Sequence, residues 1–291
     1  SKEVATLLKE APDADIMVGW RPTAKLLETA TNLKLFINPG AGVQHLVSLF
    51  KEYPEVTVVN GHGNSFFTVE HILAMLLSLT NRLIPHHLWM KEGKWRLGDK
   101  EAKSLSLAHR TVGLLGYGHV NQNVHRLLMP FGCAVKILKR KPAKDQFGPE
   151  DLNTFLKQVD TLVIALPLTE QTKNMISAEQ LALLGKDGIL INAGRGEIVV
   201  EKDLFDALKN KTISDAAIDV WYNYNPEPDE AGRKFPYQYP FYELNNILLS
   251  PHRAASPFDD LGRWDDVIEN INRLGRGEKG LLNVVNLEDE Y

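Results

Sequence analysis

The sequence predicts an α/β fold: a doubly wound parallel sheet joined to a smaller α/β unit. Three observations predict it. From Thr111 onward, short apolar runs alternate with stretches of helical periodicity, the pattern of a parallel sheet covered on both faces. A glycine turn, Gly116-Tyr117-Gly118, separates the first of these runs from the first helical stretch. The chain has 291 residues, enough for two sizeable cores.

Six strands are expected in the larger unit, over 111–115, 134–138, 161–166, 188–191, 216–220 and 246–249. Each run is too short for a helix, and several are bounded by Gly, Pro or Asp. Helices are expected between most of them, over 120–129, 151–157, 178–184 and 201–209. Six strands match the count of a complete dinucleotide-binding sheet. The first 65 residues carry a second set, with strands over 15–19, 33–37 and 56–59 and helices over 24–29 and 44–50. A long helix from near Thr68 carries the chain into the larger unit. A last helix over 258–274 ends at Gly275 and returns the tail to the smaller one. Residues 222–242, rich in Pro and Tyr, form a long loop of the kind that is often functional.

Composition narrows the function. The net charge of −4 provides no domain-wide basic excess, so a nucleic-acid partner is not expected. No stretch reaches the ~18 apolar residues of a membrane span, and residues 72–79 read as a buried helix. The single cysteine, Cys133, cannot form an internal disulfide and fits a reducing compartment as a small core residue. Nothing at the start reads as a signal peptide, and a cytoplasmic location is expected. No metal centre is expected.

In an open parallel sheet, ligands bind beyond the carboxyl ends of the strands. After the first large-unit strand come Gly116, Gly118, His119 and Val120, where a tight turn brings backbone N–H groups to a pyrophosphate at a helix N-terminus. The third fingerprint position is Asn121 rather than Gly. After the second strand, Lys139-Arg140-Lys141 stand where an acidic residue would bind the ribose, about 20 residues past the turn. They either neutralise a 2′-phosphate, which favours NADP over NAD, or form a solvated basic turn. Pro167 follows the third strand and Asn192-Ala193-Gly194-Arg195-Gly196 the fourth. Arg195 suits a substrate carboxylate, or a surface salt bridge. Asp219 either orients a nicotinamide or ends its strand. His252, between Pro251 and Arg253, can exchange a proton with a ketone oxygen near neutrality.

The assembled pieces include Gly40-Ala41-Gly42-Val43-Gln44-His45, Val69-Glu70-His71, the turn from Thr111 to Val120, Leu166-Pro167-Leu168-Thr169, the Asn192–Gly196 turn, Asp219-Val220-Trp221 and Ser250-Pro251-His252. In this order, over nearly the whole chain, they resemble the D-isomer-specific 2-hydroxyacid dehydrogenases. The resemblance implies a Rossmann-type cofactor domain over 66–255 and a flavodoxin-like substrate domain over 1–65 and 256–291, with a cleft between them. It also implies a further strand and helix before the present start, so the small domain is expected to be truncated at its N-terminus. It assigns Arg195 to the substrate carboxylate, His252 to acid/base work, and the backbone amides of Ala41, Gly42 and Val43 to capping the carboxylate. Cofactor contacts are implied at Gly116, Gly118, His119, Val120, Lys139, Arg140, Pro167, Thr172, Ala193, Asp219 and His252. A glutamate normally pairs with the histidine and favours its charged form. At the usual spacing this chain has Tyr224, and a Glu-Pro pair arrives later; the favoured partner is Glu227.

The implied activity is hydride transfer between NADP(H), or NAD(H), and a small 2-oxoacid such as glyoxylate or hydroxypyruvate. The substrate pocket is expected to include Ala41, Asn64, Trp221 and Arg253. Two alternatives stay open. Asn64 within Gly63-Asn64-Ser65 is similar to the formate dehydrogenase branch, and a corepressor-like branch uses the same fold as a cofactor-sensing binding protein. A homodimer is expected through residues 69–79 and the apolar residues that follow.

Overall fold

The computed structural model describes residues 2–96, 103–255 and 262–291. The chain forms two compact units, Ser1–Ser65 with Ser256–Tyr291, and Phe66–Ala255.

In the smaller unit, helix α1 (Lys2–Glu10) precedes strand β1 (Ile16–Val18), α2 (Ala24–Thr29), β2 (Leu35–Asn38), α3 (Val47–Phe50) and β3 (Thr57–Asn60). The three strands are parallel in the order β1-β2-β3. β2 is buried at every residue because alternate side chains feed cores on both faces. Phe36 meets Phe50 on one face, ring centroids 4.9 Å apart, while Leu35, Ile37 and Val59 meet Val267 on the other. Helix α2 starts at Thr23, whose hydroxyl accepts the Leu26 N–H at 3.2 Å and satisfies a free helix-end donor. The helix expected over 44–50 is only the one turn of α3.

In the larger unit, α4 (Ser65–Thr80, entered from the boundary) and α5 (Leu83–Lys91) lead into β4 (Thr111–Leu115), α6 (His119–Leu128), β5 (Ala134–Leu138) and α7 (Leu152–Leu156). β6 (Thr161–Ile164), α8 (Ala178–Leu184), β7 (Ile189–Asn192), α9 (Glu201–Lys209), β8 (Asp215–Ile218) and β9 (Ile247–Leu249) complete it. The last helix, α10 (Arg263–Gly275), belongs to the smaller unit; residues 258–261 of the helix expected there lie outside the described residues.

All six large-unit strands are parallel, in the order β5-β4-β6-β7-β8-β9. The sheet therefore reverses its winding between β4 and β6, which is where such a fold opens a crevice for a ligand. β6, β7 and β8 are buried along their whole length, because helices cover both faces. Past β5, among the described residues, the sheet continues as a single parallel bridge between Leu138 and Phe147. α4 lies in the core through Val69, Ile72, Met75 and Leu76. α5 buries no residue and exposes Leu83, Ile84, Leu88 and Met90. Among the described residues, no single helix is long and apolar enough to cross a membrane.

Candidate active site

The glycine turn after β4 is shaped by two demands. Gly116 sits at φ +85°, and a Cβ there would lie 2.7 Å from Leu166 and 2.8 Å from the Ala165 carbonyl. Only glycine meets both the left-handed backbone and the lack of room. Gly118 precedes α6, with nothing within 4 Å on the side where a Cβ would project. The turn thus leaves an open cradle at a helix N-terminus, with His119 and Val120 in its first turn. Asn121 explains the departure from the glycine pattern. It is fully buried, and its amide donates to the carbonyls of Leu115 and Gly116 at 3.2 and 2.8 Å. It ties helix to strand instead of letting them touch. These residues fit a dinucleotide pyrophosphate.

Lys139 follows β5 beside this turn, its ammonium 5.8 Å from the Tyr117 ring centroid. Arg140 is exposed next to it. Thr172 is committed to its own loop: its hydroxyl accepts the Thr169 N–H and donates to the Pro167 carbonyl, both at 2.8 Å. Ala193, after β7, donates its N–H to the Ile164 carbonyl at 3.1 Å.

Arg195 is held by the turn that follows β7. Asn192 closes it, accepting the Gly194 N–H at 3.1 Å and donating to the Arg195 carbonyl at 2.9 Å. A Cβ on Gly196 would stand 2.5 Å from the Trp221 backbone, so the turn has no space for a side chain there. One guanidinium nitrogen donates to the Gly194 carbonyl at 2.7 Å. Burial pushes the Arg195 pKa down, against the opposing pull of Tyr224 and Glu197. A guanidinium partly withdrawn from water is preorganised to take an anion.

Asp219, just past β8, is 1% exposed. One carboxylate oxygen accepts from the Ser250 hydroxyl at 2.5 Å and the Arg253 N–H at 2.8 Å; the other accepts the Ala254 N–H at 3.1 Å. His71 of α4 joins through the Ser250 hydroxyl at 2.8 Å, its Nε2 3.6 Å from Asp219. Asp219 therefore fastens the segment that carries His252. That segment needs fastening, because His252 sits at φ +56°, a conformation costing about 1–2 kcal/mol for a residue with a Cβ. Asp219→Asn removes a buried charge from three hydrogen bonds and is expected to destabilise the protein by about 3 kcal/mol. Chemical denaturation checks this; an unchanged midpoint would refute the fastening role.

The His252 ring meets Tyr224, with centroids 5.2 Å apart. Burial lowers its pKa, Asp219 raises it, and Arg195 lowers it further; the net direction is down. Glu227 lies exposed in the 222–242 loop. Trp221, expected in the substrate pocket, instead belongs to the core: it is 3% exposed, packs on Tyr237, and donates its indole N–H to the Ser250 carbonyl. Its size and apolarity, with a partner for the N–H, make it a core residue.

The remaining expected substrate residues belong to the smaller unit, except Arg253, which is exposed after His252. Asn38 donates to the carbonyls of Gly40 and Gly42 at 2.5 and 3.1 Å, and Asn60 to that of Ala41 at 2.7 Å. With three successive carbonyls turned inward, planar trans peptides turn the N–H groups of Ala41, Gly42 and Val43 the other way. That arrangement suits an anion. Asn64 is buried, and its side-chain carbonyl accepts the Arg263 N–H at 3.1 Å. Asn38, Asn60, His71 and Ser250 have no role assigned from the sequence; the partners of Asn60, His71 and Ser250 come from distant segments, whereas the Asn38 side chain bonds its own loop.

A parallel sheet with a glycine cradle at its winding reversal, and Arg195, Asp219 and His252 past the ends of neighbouring strands, defines a dinucleotide-dependent oxidoreductase domain. The D-isomer specific 2-hydroxyacid dehydrogenase, NAD binding domain, matches residues 73–254. The chain belongs to the D-isomer specific 2-hydroxyacid dehydrogenase family. It is 30% identical, over 99% of its length, to D-3-phosphoglycerate dehydrogenase of Methanocaldococcus jannaschii, of which it spans only 56%. It is also 30% identical to hydroxypyruvate reductase of Thermotoga maritima, over 86% of this chain and 81% of that protein. Among solved structures, an NADPH-dependent glyoxylate/hydroxypyruvate reductase of Sinorhizobium meliloti in complex with NADP and sulfate superposes with a TM-score of 0.82 at 27% identity, covering 95% of this chain and 86% of that one.

Proposed function

We propose that the protein reduces a small 2-oxoacid of the glyoxylate or hydroxypyruvate type with NADPH, and catalyses the reverse oxidation. The observation that carries this reading is the Asp219 network, which sets His252 in a left-handed backbone near a partly desolvated Arg195. The assignment of 66–255 to the cofactor and of 1–65 with 256–291 to the substrate is part of the proposal.

The nicotinamide supplies the hydride for the substrate carbonyl carbon. Arg195 holds the substrate carboxylate in the larger unit; the N–H groups of Ala41, Gly42 and Val43 in the smaller unit are donors of the kind that cap a carboxylate. His252 gives a proton to the carbonyl oxygen and takes it back in the reverse direction. Gly116, Gly118, His119 and Val120 receive the pyrophosphate; Pro167, Thr172, Ala193 and Asp219 border the cofactor. Asn64 and Arg253 contribute to substrate choice.

Lys139 and Arg140 favour the 2′-phosphate, because two cations stand where a carboxylate would repel it. Lys139→Ala with Arg140→Ala is expected to raise KM for NADPH at least about tenfold, the equivalent of one lost charged hydrogen bond, and to leave NADH nearly unaffected. Kinetics with both cofactors test this, and an equal effect on the two would overturn it. Assays of 2-oxoacids and formate side by side test the activity: turnover of formate alone favours the formate dehydrogenase reading, and partner capture without any turnover favours a cofactor-sensing binding protein. We place the enzyme in the cytoplasm, on its lone buried Cys133. The exposed apolar residues of α5 favour a homodimer through that helix.

A further inference from the structure

Tyr224 occupies the spacing at which a carboxylate was expected to face His252. Its ring lies against the imidazole, centroids 5.2 Å apart and planes inclined by 57°. Its hydroxyl accepts the backbone N–H of Trp221 at 3.3 Å. Trp221 in turn donates its indole N–H to the Ser250 carbonyl at 2.8 Å. The phenol is thus referenced to Ser250, two residues before the imidazole it touches. Ring, strand end and histidine form one assembly, and each part of it lies in the larger unit.

The geometry points to Tyr224 as the positioning residue of His252, an uncharged ring holding the imidazole where a carboxylate would otherwise stand. This deepens the proposed function and rests on His252 being its acid/base. The chemical consequence lies in what a phenol lacks. A carboxylate in contact favours imidazolium, whereas a neutral ring offers no counter-charge. Burial raises the Tyr224 pKa further; the Trp221 N–H and Arg195 oppose that, and Asp219 and Glu197 add to it. The phenol stays protonated and neutral through the working range.

The titratable groups around the imidazole come from every neighbouring element. Asp219 at the end of β8 favours its charged form, while Arg195 after β7 opposes it. His71 of α4 sits behind, on the Ser250 and Asp219 side chains. Burial and Arg195 push the His252 pKa below the ordinary imidazole value against the pull of Asp219, and the ring of Tyr224 adds no charge to oppose them. Neutral imidazole then predominates at neutral pH. Reduction of a 2-oxoacid takes up one hydride and one proton, and that proton comes from His252. Reduction therefore accelerates as pH falls through the lowered midpoint, and oxidation, which needs the neutral base, persists at neutral pH.

The test reads the titration itself, so it does not depend on which substrate is turned over. Histidine-labelled full-length protein is titrated by NMR, and the His252 resonance is assigned by its loss in His252→Asn. The expected midpoint lies below the ordinary value of about 6.5. It stays there in Tyr224→Phe, which keeps the ring, and in Glu227→Gln. In Tyr224→Glu it rises by at least about one pH unit, the effect of an opposite charge in contact. Tyr224 is 49% exposed, which leaves room for the change. Should that variant not fold, Tyr224→Asp carries the same test, because it too puts a carboxylate in place of the neutral ring. A fall of the midpoint in Glu227→Gln would overturn the inference. So would a midpoint unmoved in Tyr224→Glu or, where that variant does not fold, in Tyr224→Asp. Unimpaired 2-oxoacid reduction by His252→Asn would instead remove the acid/base reading and leave the titration result standing.

Discussion

His252→Asn is expected to lower kcat for 2-oxoacid reduction by about 10²–10⁴-fold, the usual contribution of a positioned general acid. Asn is the informative replacement because it tolerates the left-handed backbone better than most residues do. The φ of +56° at this position is therefore preserved, and the Asp219 anchor on Arg253 and Ala254 stays intact. What disappears is the group able to carry a proton between pH 5 and 8. The residual rate should lose its dependence on pH in that window. Steady-state kinetics across pH check both parts; a variant with a wild-type kcat would show that the proton comes from elsewhere.

Arg195→Ala is expected to lower kcat/KM for 2-oxoacids by about 10²–10³-fold, as removal of one partner of a buried charge pair costs about 3–4 kcal/mol. The loss should appear in KM and kcat together, because a substrate not held by its carboxylate is also misaligned for hydride transfer. Asn192 bonds the Arg195 backbone carbonyl and the Gly194 N–H, so the turn survives without the guanidinium. Arg195→Lys should recover little, since an ammonium cannot form the two parallel hydrogen bonds of a guanidinium fork. Thermal denaturation separates this from misfolding. Unchanged kinetics on 2-oxoacids would refute the role of Arg195.

The α/β class and the parallel sheet were readable because buried parallel strands are continuous apolar runs, such as Ile189–Asn192, set between helical patterns. Strand limits shifted by a residue or two where side chains do not decide them: the run over 161–166 ends as a strand at Ile164, ahead of Pro167. The short 44–50 helix was overestimated because its residues pack for tertiary reasons rather than for helical periodicity. Residues with local signatures, such as Gly116 and the Arg195 turn, stood out in the sequence. Asp219 did not disclose its bonding, since its partners Ser250, Arg253 and Ala254 arrive with the next strand, more than thirty residues later. His71 was part of a recognisable motif, yet its place behind Asp219 depends on how α4 lies on the sheet. Tyr224 and Glu227 could not be told apart by spacing alone, because the 222–242 loop has no periodicity to fix which side chain turns toward His252.

The most direct measurement follows the hydride. NADPH deuterated at the transferring position of the nicotinamide is oxidised with hydroxypyruvate or glyoxylate by the purified protein, and the product is analysed by mass and configuration. The account predicts one deuterium bonded to C2 of the 2-hydroxyacid, the D configuration with hydroxypyruvate, and the same label with NADH at lower efficiency. Label lost to solvent, an L product, or formate as the only compound turned over would contradict it.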